Sequence, residues 1–167
     1  ERERARFDGE LEVRVYDDAS PDYADVRALC AERGYAFTSQ PEHRGRDEHW
    51  RLIADEMADL RGVPADWYVF LPDDVRLSDG FFARAIAAWE TLDEPVAMNL
   101  THHEGRSGSC WTRVKPRPAG AGVEVGWVDG MYLARRELLE RLAYTVERPP
   151  AGFLRRNAGS GVGMMVS

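Results

Sequence analysis

Two pairs of adjacent carboxylates are the chemical signal of this sequence. Asp73 and Asp74 follow the apolar run "WYVFL" and a proline, and Asp17 and Asp18 follow the alternating run "LEVRVY". Neighbouring like charges at a partly dry strand end are costly unless a cation offsets the repulsion. Mg²⁺ or Mn²⁺ takes carboxylate oxygens and completes its shell with water and substrate phosphates. The pair Asp73–Asp74 therefore fits a metal–diphosphate site. The bland alternative is a turn with a helix cap further on, yet "LSDG" gives the next helix its own start at Ser78 or Asp79. For Asp17 and Asp18 the turn reading is as good as the functional one, since "DDASPD" also reads as a turn entering a helix. As a site, either residue would accept hydrogen bonds from a base or ribose hydroxyl at a sheet edge.

The elements that must position these groups alternate along the chain. "LEVRVYD" places Leu11, Val13 and Val15 on one face, as in a strand. A helix then starts with Ser20 as N-cap and Pro21 at its first position, carries a stripe of Tyr23, Val26, Leu29 and Cys30, and stops at Gly34. "YAFTS" is a short strand. After the polar loop "QPEHRGRD" comes a helix with Trp50, Ile53, Met57 and Leu60 on one face. The run 67–71 is a strand covered on both faces. A helix from Asp79 to Leu92, the strand "VAMNL", an extended "VEVGWV" and "MYLA", and the short helix "RRELLERLA" complete the order. The alternation predicts one α/β domain with a mostly parallel sheet, helices on both faces, and ligands beyond the carboxyl ends of the strands. Both acidic strand ends would open onto that one edge.

These segments together resemble the GT-A (Rossmann-like) glycosyltransferases of the family 2 type. "EVRVYDDASPD" is similar to a D-D-x-S-x-D strand signature, and "EHRGRDEHWRLIADEMADLRGVPADWYVFLPDDVRL" to the basic-glycine loop, helix and D-x-D strand that follow it. "VGWVDGMYLARRELLERL" resembles the acceptor-side strand and helix. The resemblance covers roughly residues 11–142. It implies a nucleotide-sugar-binding half over about residues 11–100 and an acceptor-side half over about 101–167. Asp17 or Asp18 would then bind the donor nucleobase, with Arg44 and Arg46, either side of Gly45, near the donor. Asp73 and Asp74 would hold Mn²⁺ or Mg²⁺, with Asp74 as the direct ligand. The resemblance implies a nucleoside-diphosphate sugar as donor, with a UDP-linked sugar the expectation, and a hydroxyl as acceptor.

Departures from the pattern are specific. Pro72 stands where D-x-D has its first aspartate, and the strand that precedes D-D-x-S in the family has no counterpart in "ERERARFDGE". The proton acceptor for an acceptor hydroxyl is Asp129 or Glu147, the former equally readable as a turn residue before Gly130. His102 and His103 could contact phosphate or metal, or be solvated loop histidines. Trp111 could stack on a sugar ring or anchor a loop. "GSGVG" lacks the lysine and the strand–loop–helix setting of a phosphate loop. Two other readings share the acidic strand ends: a non-catalytic nucleotide-sugar or partner-binding module, and a sugar nucleotidyltransferase.

Composition sets the boundaries. A net charge of −7 argues against general nucleic-acid backbone binding, and all basic residues but Lys115 are arginine. Cys30 and Cys110 have no metal-type spacing, which points to a reducing, cytoplasmic setting. No apolar run approaches the ~20 residues of a membrane span. The abrupt start and Gly-rich end read as a piece of a longer protein.

Overall fold

The computed structural model describes residues 2–100, 117–124 and 131–148. Strand β1 (Arg14–Asp17) pairs in parallel with β2 (Ala36–Ser39), placing Asp17 opposite Ser39. Parallel neighbours need a crossover, and α1 (Ala24–Arg33) supplies it. The helix starts later than the capping pattern predicts: Tyr23, not Ser20, is its N-cap. It ends at Gly34, whose φ of 67° is the left-handed conformation that returns amides to the last carbonyls. Of the predicted stripe only Cys30 is buried, and Leu29 is 47% exposed, because α1 has just two four-residue strands to cover.

A single turn, α2 (Gly45–Glu48), leads into α3 (Trp50–Leu60). Its stripe is close to expectation, with Met57 and Leu60 buried and Ile53 packed beside them, but Leu52 is buried while Trp50 is only half-buried. Strand β3 (Trp67–Phe70) follows, then α4 (Phe81–Trp89), β4 (Ala97–Asn99), a hairpin of β5 (Arg117–Ala119) and β6 (Gly122–Glu124), and finally β7 (Tyr132–Arg135) running into α5 (Arg136–Arg141).

Strand β7 lies between β3 and β4 and is antiparallel to both. The expected mostly parallel central sheet is thus corrected to a mixed α/β arrangement: the β1–β2 ladder is parallel, and the other described ladders are antiparallel. Residue patterning could not reveal this, since alternation fixes which face a side chain takes and leaves the direction of the neighbouring strand open. Strands β3 and β4 do run in the same direction, each opposed to the strand they flank.

Both faces of this three-stranded sheet are covered, as its uninterrupted apolar character requires. Tyr68, Tyr132 and Ala134 pack with Met57 and Leu60 of α3 and with Leu138 and Leu139 of α5. Leu133 packs on the opposite face with Ala85 and Trp89 of α4, joined by Trp67, Val69 and Met98. Helix α4 has no side-chain cap of its own. Glu3 provides one: its two carboxylate oxygens accept from the amides of Gly80 (2.8 Å) and Phe81 (2.7 Å). Asp79, the sequence-level cap candidate, is instead paired with Arg2 and Arg6. Asp73 and Asp74 are therefore not needed to start the helix that follows them.

Candidate functional site

At the end of β1, Asp17 is buried at 4% exposure and fully engaged. Its Oδ2 accepts from Ser39 Oγ at 2.6 Å and its Oδ1 from the Ser20 amide at 3.0 Å, while its carbonyl accepts from the Gln40 amide at 2.8 Å. Burial pushes the Asp17 carboxyl up, but the hydrogen bonds from Ser39 and Ser20 outweigh it and hold the group below the usual carboxylate range. The side chain stitches the ends of two parallel strands together. Ala19, next to the pair, has φ 56°, a left-handed conformation that costs a non-glycine residue and persists only where the surroundings fix it. Those fixings are the Asp17–Ser20 bond on one side and Asp18 on the other.

Asp18 organises the loop after β2. Its Oδ1 accepts from the Arg44 amide at 3.2 Å, and its Oδ2 lies 3.1 Å from His43 Nδ1, which also lies 2.9 Å from the Asp18 carbonyl. A ring nitrogen facing two oxygen acceptors carries its proton there, so His43 donates. The Arg44 guanidinium pairs with Asp55 of α3 at 3.0 Å. Gly45 takes φ 67° to begin α2, and Arg46 lies within that turn. The basic-glycine loop is thus held against the end of β1 by a carboxylate assigned from sequence to ligand binding.

At the end of β3 the situation is reversed. Leu71 to Asp74 are all exposed. Asp73 Oδ2 accepts from the Tyr23 hydroxyl at 3.0 Å. No described residue donates to Asp74. Tyr23 belongs to the start of α1, so this bond brings the two acidic strand ends together even though β1 and β3 lie in different sheets. The tyrosine also feels Asp17: its hydroxyl is raised by the hydrogen bond to Asp73, by burial, and by the charges of Asp73 and Asp17. Sequence reasoning placed Tyr23 in an apolar stripe and missed its hydroxyl.

A second residue was missed. Glu56 falls in the buried stripe of α3, between Leu52 and Ile53 one turn before and Leu60 one turn after. No described residue donates to its carboxyl, and burial pushes it up to about 7. Its charge acts on Tyr132, whose hydroxyl is raised first by burial and then by Glu56. Tyr132 stacks on Phe70 with ring centroids 4.5 Å apart, at the last position of β3 before the acidic turn. A charged residue on an otherwise apolar stripe was the available signal.

Other assignments fare differently. Glu147 is exposed, beside buried Val146 and next to Arg148, whose guanidinium reaches Glu48 at 3.5 Å. That places it near the entry to α3, with no described contact to Asp73 or Asp74. Asp129, His102, His103 and Trp111 lie outside the described residues. Among the described residues no three histidine, cysteine, aspartate or glutamate side chains converge as metal ligands. A cavity of about 330 Å³ lined by Asp66, Trp67, Arg135, Arg136 and Glu137 opens at the start of β3, the end opposite Asp73. No helix among the described residues is long and apolar enough to cross a membrane.

Compared with known proteins, the chain matches no family model, no curated protein and no solved structure.

Proposed function

We propose that this chain is a GT-A-like glycosyltransferase domain that binds a nucleoside-diphosphate sugar across the ends of β1 and β3 and transfers the sugar to an acceptor hydroxyl. The observation that carries the reading is the Tyr23–Asp73 bond, which puts an exposed carboxylate pair beside a second acidic strand end. Asp73 and Asp74 fit Mg²⁺ or Mn²⁺ as two hard oxygen donors, the number such ions commonly take from protein when phosphates and water supply the rest. When bound, the cation would neutralise charge developing on the diphosphate leaving group. The residues of the chain itself position and orient. Asp18 holds the Arg44 loop against β1, Asp17 locks the strand ends, and the open face of Asp74 meets the donor.

The geometry refines the residue roles implied by the resemblance. With both Asp17 oxygens taken up by Ser39 and Ser20, and both Asp18 oxygens by the Arg44 amide and His43, the two carboxylates serve as walls of the donor site, and a donor base would reach Asp18 by displacing the exposed His43. The acceptor and the proton acceptor are assigned to the later part of the chain, where Asp129 remains the candidate. A non-catalytic nucleotide-sugar-binding module is favoured by one observation, the lack of a third metal-type ligand near Asp73 and Asp74 among the described residues.

A thermal-shift panel of UDP, GDP, CDP and dTDP, each with and without Mn²⁺, tests the donor site. One nucleotide should raise the melting temperature only with Mn²⁺, and Asp74→Asn should abolish that rise. A flat response to all four nucleotides would overturn the reading. Hydrolysis of the matching nucleotide sugar by the wild type separates the enzyme from the binding module.

A further inference from the structure

We propose that Tyr23 is a positioning residue of the donor site, its hydroxyl pinning Asp73 so that the nucleoside end on the β1–α1 loop and the diphosphate end on the β3–α4 loop form one continuous site. The inference rests on the donor-site reading above and adds a residue that the reading does not require.

Three observations support it. First, β1 and β3 belong to different sheets, so no described strand ladder sets the position of one acidic end relative to the other. The other ties from β1 run to the body of α3, where Arg14 (2.7 Å) and Tyr16 both donate to Asp59. Among the described residues, Tyr23–Asp73 is the hydrogen bond that joins the two acidic loops themselves.

Second, the origin of the Tyr23 side chain is fixed. The loop before it is held by the Asp17–Ser20 bond and the left-handed Ala19, and the residue is the N-cap of α1, whose carbonyl already accepts from the Arg27 amide at 2.9 Å. A side chain leaving so constrained a backbone can hold a partner in place. Third, the bond is selective. It engages Oδ2 of Asp73 and leaves Oδ1 and all of Asp74 free of described donors. A tyrosine hydroxyl is a neutral donor, so it orients the carboxylate without cancelling the charge a cation would need.

Tyr23→Phe keeps the ring and removes the hydroxyl. Calorimetric titration of the chain with UDP and Mn²⁺ should show affinity about tenfold weaker than wild type, the scale of one hydrogen bond to a charged group. Uridine, which lacks the diphosphate, should bind both forms equally. Asp73→Asn, at an exposed position, approaches the same bond from the other side, and combining it with Tyr23→Phe should weaken UDP–Mn²⁺ no further than the larger single effect. Unchanged UDP–Mn²⁺ affinity in Tyr23→Phe, or fully additive effects in the double variant, would overturn the inference while leaving the donor site intact. A merely structural role would lower the melting temperature and leave the affinity of the folded protein as it was, which also overturns it. A wild type that ignores UDP, GDP, CDP and dTDP defeats the donor reading itself, and that result is visible before any variant is made.

Discussion

The two acidic strand ends have the same local sequence character and opposite fates. At β1 the carboxylates are withdrawn from solvent, and the protein saturates them: Ser39 and Ser20 on Asp17, His43 and the Arg44 amide on Asp18. At β3 they remain in solvent with one tyrosine hydroxyl between them. Burial explains the difference. A buried charge without partners costs several kcal/mol, so a fold that buries one must supply its donors internally, whereas an exposed charge can wait for a partner from outside. Glu56 shows a third fate. It is withdrawn from solvent on α3 with no described donor, and its carboxyl moves toward the neutral form. Donor supply and exposure, more than residue type, separate structural carboxylates from candidate ligands here.

The largest effect should come from the saturated end. Asp17→Ala removes two charge-assisted bonds and leaves the Ser39 hydroxyl only the Gln40 carbonyl at 3.4 Å, and should cost about 3 kcal/mol in denaturant unfolding. A loss below about 1 kcal/mol would show that the stitch between β1 and β2 is dispensable. Asp17 also sets a pH signature. Its folded-state carboxyl is lowered, so its contribution is present above the unfolded value and is lost as pH falls through the folded value. Asp17→Asn should flatten the acid side of the stability profile.

Glu56 should act in the opposite sense. Its carboxyl is raised from 4.5 to about 7, so the fold binds its proton more tightly than the unfolded chain does. Its contribution to stability should be highest below the unfolded value and fall as pH climbs through about 7, by about 3 kcal/mol in total. Melting curves from pH 5 to 8 would show the decline, and Glu56→Gln should remove it. A wild type that gains stability over that range would mean the carboxyl has a donor. The smallest effect on stability belongs to the open end. Asp74→Asn should stay within ~0.5 kcal/mol of wild type. If it destabilised the protein as much as Asp17→Ala, the contrast between the two ends would collapse.

Elements with strong local signals were legible in the sequence. The run Trp67–Phe70 had to be covered on both faces, and α3 and α5 on one side and α4 on the other cover that sheet. Met57 and Leu60 were readable from helical spacing. What escaped depended on distant partners. The insertion of β7 between β3 and β4 pairs strands far apart in the sequence, which no periodicity encodes. Leu29 was expected inside because its spacing is right, yet the small parallel sheet leaves nothing to cover it. Within the site, the acidic pairs were visible as residue types. Their division into saturated and open was not, because Ser39, His43 and Tyr23 meet the carboxylates only through the fold. Tyr23 is the sharpest case: an aromatic ring at helical spacing reads as core, and only the folded chain shows where its hydroxyl goes.

The Glu3 cap on α4 has a kinetic consequence. The carboxylate and the amides it accepts from are separated by 77 and 78 positions, so the first turn of α4 is secured by closing a long loop. The Glu3 carboxylate lies outside both apolar clusters that cover the sheet, so it is expected to dock after the helix and the sheet beneath it are in place. Removing it should therefore leave the refolding rate almost untouched and accelerate unfolding instead. The amino-terminal turn behaves as a latch, setting how long the assembled domain persists rather than how quickly it assembles.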